Sequence, residues 1–70
     1  MRTCTAVLAR DDGLYVATCP EVGTVSQGAT IEEAVANLKE ATELYLHEFR
    51  VEPFPRSILT TFEVTEAADT

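Results

Sequence analysis

The residues in this chain able to do acid–base or nucleophilic chemistry are few and scattered. His47 follows Glu43 at the spacing of one helical turn, where a carboxylate can steady an imidazole as a general base. No serine or cysteine is placed convincingly beside them, and the same spacing is common on solvated helix faces, so the pair reads as surface. Asp11 and Asp12 are adjacent carboxylates, but they precede Gly13 between two β-prone runs, where Asp side chains satisfy turn amides rather than a metal. Cys4 and Cys19 both sit in apolar runs and read as buried free thiols in preference to a disulfide. There is no CxxC pair and His47 is the single imidazole, so no zinc set is expected. Gly23 and Gly28 are too separated for a phosphate loop, and the first strand carries no acids for a metal-dependent nuclease. The expectation is a protein without catalytic residues, metal or cofactor.

The elements that must position these residues follow from periodicity. Thr3 to Ala9 alternates with Cys4, Ala6 and Leu8 on one face, which predicts a first strand. The Asp12-Gly13 step predicts a tight hairpin with Gly13 at positive φ, leading into a second strand from Leu14 to Thr18 or Cys19. Pro20 ends that strand, and Gly23 permits a turn into a short third strand, Thr24 to Gln27, closed by Gly28. Thr30 and Glu33 form a capping-box pair in which each side chain serves the other's amide. Ile31, Ala34, Val35, Leu38, Ala41, Thr42, Tyr45 and Phe49 then repeat at helical spacing, which predicts a helix from Ile31 to about Glu48. Glu52-Pro53-Phe54-Pro55 cannot continue it, and Ser57 to Val64 alternates as a last strand. The order is β-β-β-α-β. An α+β fold is expected, with the last strand returned beside the first in a mixed sheet and the helix packed on one face.

At 70 residues this is one domain, read as residues 1–65 with a frayed tail over 66–70. One helix covers one face of a sheet, so the other face or a free edge, with residues such as Val7 or Tyr15 and Leu59 available to it, is expected to take a second subunit in a homodimer or higher homo-oligomer. Twelve acidic residues against five basic ones give a net charge of −7 with no basic stripe, which disfavours direct nucleic-acid binding and favours a basic partner. No apolar run is long enough to span a membrane, and a cytoplasmic location is expected.

The ordered set Tyr15-Val16-Ala17-Thr18-Cys19-Pro20-Glu21, Thr24-Val25-Ser26-Gln27-Gly28, Thr30-Ile31-Glu32-Glu33-Ala34 and Asn37 to Leu46 resembles the HicB-like antitoxins over most of residues 3 to 64. The resemblance implies a partial ribonuclease-H-like fold and an antitoxin in a toxin–antitoxin system. Such a protein neutralises a small basic HicA-type messenger RNA ribonuclease by covering its active-site surface, in a short form without a C-terminal DNA-binding domain. The alternative is a stand-alone regulatory or small-ligand-binding module on the same scaffold. On the antitoxin reading the candidate partner-binding residues are Tyr15, Leu44 and Phe54 as anchors, with Glu21, Glu40, Glu43 and Glu48 as an acidic rim. Gly13, Pro20, Gly23, Gly28, Thr30 and Glu33 are expected to be structural.

Overall fold

The computed structural model describes residues 2–50 and 52–67. Its elements are β1 (Val7–Asp11), β2 (Leu14–Thr18), β3 (Val25–Gly28) and α1 (Ile31–Glu48). The three strands form an antiparallel sheet in the order β1-β2-β3, with Val7 opposite Thr18 and Thr18 opposite Val25. The α+β class expected from sequence is observed; the mixed sheet is not. No strand forms over Ser57 to Val64, so the predicted return beside the first strand is corrected.

Each boundary has a local cause. Asp12 and Gly13 take φ of 55° and 82°, the two left-handed residues of a tight hairpin, and Asp11 pairs directly with Leu14 across it. Beyond Thr18 the β2–β3 pairing continues one step in register, the Cys19 N–H donating to Thr24 O at 2.8 Å, before the Gly23 N–H turns back onto Cys19 O at 2.7 Å; toward β1 the ladder stops, because Pro20 has no N–H to give. This explains why β1 starts at Val7 instead of Thr3: the segment before it has lost its strand partner. Gly23, at φ 94°, lets the chain reverse into β3.

Helix α1 occupies the predicted span. The Thr30 hydroxyl accepts from the Glu33 N–H at 3.0 Å, as expected of the cap. The reciprocal bond differs by one residue, since Glu33 Oε1 accepts from the amide of Ala29 at 2.6 Å rather than from Thr30. Two amides at the helix entrance are still satisfied.

The helix lies on the face of the sheet that carries Tyr15, Ala17, Cys19, Ala6 and Leu8. Its core is made of small groups: Ala17, Cys19, Ala34 and Leu38 are buried, with Ala6, Leu8, Tyr15 and Val22 packed around them. Small residues allow close approach, and Gly28 is its limit. A Cβ on Gly28 would stand 2.5 Å from Ala34 N and 2.9 Å from the Glu33 carbonyl carbon. Farther along α1, the buried Thr42 hydroxyl pairs with that of Thr24 at 2.6 Å, and Asn37 Nδ2 donates to Gln27 O at 2.8 Å on β3. The helix is thus joined to β3 and to Thr24 just before it by a close packing contact and two side-chain hydrogen bonds.

Gly28→Ala should therefore destabilise the fold by about 1–3 kcal/mol, because the clash is with helix backbone that cannot rotate away. Thr30→Ala should cost about 1 kcal/mol, and adding Glu33→Ala should cost less than the sum of the two single changes. Urea melts measure both; an unchanged midpoint for Gly28→Ala would show that α1 does not start against β3.

Candidate interaction surface

Period-two alternation sorts the sheet residues into two sets. Tyr15 and Ala17 point toward α1, so Val7, Ala9, Leu14, Val16, Thr18, Val25 and Gln27 point the other way. No element among the described residues covers that second face, and Val7, Leu14 and Val25 are exposed on it. An apolar sheet face open to water is costly and marks a contact surface.

The C-terminal arm, residues 52–67, is the second apolar surface. Ile58 is 91% exposed, Phe62 83%, Val64 70% and Leu59 61%, although their alternation is that of a half-buried strand. The chain is correspondingly long for its size: its radius of gyration is 14.9 Å and its extents are 49 × 29 × 16 Å. A compact chain of this length would have a radius near 11 Å, roughly, from the usual scaling.

The predicted anchors and rim charges divide. Leu44, Glu40, Glu43 and Glu48 are exposed on α1 as expected, with Glu43 Oε2 taking the Lys39 ammonium at 2.8 Å. Tyr15, expected on the uncovered face, instead packs half-buried on the core side with the Arg10 guanidinium 5.5 Å over its ring. Phe54 is also half-buried within its own chain, under the Arg2 guanidinium at 5.2 Å, where Arg2, Thr3, Pro53, Phe54 and Arg56 surround a hollow of 270 Å³. Both are internal cation–π partners rather than exposed anchors.

Glu21 is the largest revision. Its Oε1 accepts from the Thr5 N–H at 2.9 Å, its Oε2 from the Thr5 hydroxyl at 2.5 Å, and the Cys19 thiol donates to Oε1 at 3.5 Å. Ser57, at the base of the arm, adds a smaller stabilisation of the charged form of Glu21. The carboxylate replaces the lost ladder: it holds the segment before β1 onto the β2–β3 turn and touches the arm where it departs. Chiefly through the Thr5 hydroxyl and then the Thr5 amide, it is lowered from its usual 4.5 to about 2. Cys4, expected buried, is exposed, while Cys19 is buried as expected. Partial burial first, then the Cys19 thiol and the Glu21 carboxylate, push the Cys4 thiol above its usual value. Sequence reasoning missed Thr5 as a partner for Glu21; continuing the Val7↔Thr18 pairing backward in register sets Cys4 across from Glu21 and would have found this corner.

A folded-state carboxyl held below its unfolded value stabilises the fold at pH above about 4.5, and that contribution is lost as pH falls toward 2. Thr5→Val, which removes the hydroxyl donor, should therefore flatten the acid limb of stability against pH between these values. Urea midpoints over that range measure it; identical acid limbs for the two proteins would refute the assignment.

No family model matches the sequence, and no solved structure matches it. Three curated relatives do. A UPF0150 protein of Helicobacter pylori (strain J99) is 46% identical over 48 residues, covering 67% of each chain. Two UPF0150 proteins of Synechocystis are 44% identical over 59 residues, covering 79% of this chain and 75% of the relative, and 45% identical over 56 residues, covering 77% and 76%. These relatives correct the resemblance to HicB-like antitoxins, and with it the toxin–antitoxin role that the resemblance implied. Because the aligned stretches exceed two thirds of each relative at this identity, the chain belongs to the UPF0150 family.

Proposed function

We propose that the chain is a non-catalytic interaction module that assembles with a second copy of itself through the C-terminal arm and the open sheet face. The single observation that carries this is the arm. Ile58, Phe62 and Val64 alternate as a strand does, yet are exposed and have no ladder partner among the described residues. A strand at the edge of a sheet offers unpaired N–H and C=O groups, and β1 is such an edge. In the assembly each arm adds to the β1 edge of the other protomer, by the exchange of identical elements that commonly builds two-fold dimers. The two open faces, with Val7, Leu14 and Val25, are then covered together.

This arrangement leaves α1 facing outward, with Glu40, Glu48 and the Lys39–Glu43 pair on its surface and Leu44 among them. A chain of net charge −7 steers basic macromolecules toward that face and repels polyanions. A second reading, a small-ligand module, is favoured by one observation: a groove of 440 Å³ between α1 and the segment before β1, lined by Ala6, Val35, Leu38, Thr42 and Leu46 among others. Saturable binding of a small apolar molecule that leaves the assembly state untouched would favour it.

Light scattering on the full chain should give twice the 7.6 kDa of one protomer, and Ile58→Asp with Phe62→Asp should give a monomer whose helix content is kept. Because the contact is apolar, raising the salt concentration should not dissociate it. A wild-type protein that stays at 7.6 kDa at about 100 µM would overturn the assembly. In gel retardation at physiological salt the protein should leave duplex DNA unshifted, and salt-sensitive binding at submicromolar protein would count against the acidic face as the working surface.

A further inference from the structure

Cys4, Cys19 and Glu21 bring their ligand atoms together at the mouth of the groove, the two sulfurs and a carboxylate oxygen all within 4.8 Å of one another. We propose that this corner is a site for one soft or borderline divalent cation of the zinc class, held by two thiolates and one carboxylate. No motif spacing announces it, because a whole hairpin separates Cys4 from Cys19 in sequence. The hairpin brings them together: β1 and β2 are paired as far as Val7 and Thr18, and the two hydrogen bonds from Thr5 to the Glu21 carboxylate then hold the segment that carries Cys4 beside the β2–β3 turn.

The distances suit the ion. Zinc–sulfur bonds of about 2.3 Å and zinc–oxygen bonds of about 2.0–2.2 Å at tetrahedral angles place sulfur and oxygen roughly 3.5 Å apart. Cys19 Sγ and Glu21 Oε1 are already 3.5 Å apart. Cys4 lies in the exposed segment before β1, outside the ladder, so it can close on the ion without disturbing the sheet. Two thiolates also select against magnesium and calcium, which take oxygen ligands.

The surroundings supply what such a site needs beyond its ligands. Thr5 fixes Glu21 by its amide and its hydroxyl, the outer-shell support that ligating carboxylates require. The fourth position opens on the groove, since Cys4 and Cys19 line it together with Ala6 and Leu38. Three protein ligands and an open position are the arrangement of zinc sites that bind an exchangeable fourth ligand.

The test is a titration of the reduced full chain with cobalt(II) as a spectroscopic stand-in, followed by displacement with zinc(II). A thiolate-to-cobalt charge-transfer band saturating at one ion per chain is expected. Cys4→Ser should abolish it, and because Cys4 is exposed this variant should still fold. Thr5→Val, which loosens the carboxylate without touching a ligand, should keep the band and weaken cobalt binding about 10-fold. Absence of a band in the wild type, or a Cys4→Ser protein that titrates like it, would overturn the proposal. So would a protein isolated with Cys4 and Cys19 joined as a disulfide that binds no cobalt after reduction. The assembly proposed above is read from molecular mass and does not depend on this result.

Discussion

The contact on which the rest of this fold depends is the seating of α1 on β2 and β3 through side chains that are nearly absent. Gly28, Ala17 and Ala34 bring helix and sheet backbones close, and Cys19 and Leu38 fill what remains. Close approach gives good dispersion contact but removes little apolar area from water, and area is what offsets chain entropy. Four buried apolar residues among those described make a small core for a chain of 70 residues. The apolar groups that would ordinarily complete it lie elsewhere, on the far face of the sheet and along the arm.

How much of this was legible in the sequence follows from how local each signal is. The helix was read to its observed ends because cap, period and stop all lie within it. The hairpin was equally plain, since Asp12-Gly13 is a turn signal complete in itself. The last strand was misread for the opposite reason: Ser57 to Val64 has the alternation of a strand, but a strand exists only with a ladder partner, and the pattern does not say which chain supplies it. Tyr15, Glu21 and Phe54 were assigned to an outer surface because a loop acid or an isolated aromatic is solvated by default. Thr5 and Arg2, the partners of Glu21 and Phe54, lie far off in sequence where no short window reaches, whereas Arg10 faces Tyr15 directly across the predicted hairpin.

The same distinction explains why the resemblance misled about family. Several of the residues that carried it have backbone duties: Gly28 admits the helix, Thr30 caps it, and Pro20 follows the end of β2. Such residues specify a scaffold of hairpin, third strand and helix, and a scaffold hosts more than one role. What would differ between roles is the arm, the α1 surface and the Cys4–Cys19–Glu21 corner.

The hydrogen bond from Asn37 to Gln27 O adds a directionality to the molecule. It spends a β3 carbonyl on the helix, so the two borders of the sheet are not equivalent: one is partly closed by the chain's own side chain, and the other, β1, is bare. A sheet with two bare borders can be extended indefinitely and tends toward filaments. In the proposed assembly each copy would be extended once, at β1, and growth would end in a closed pair.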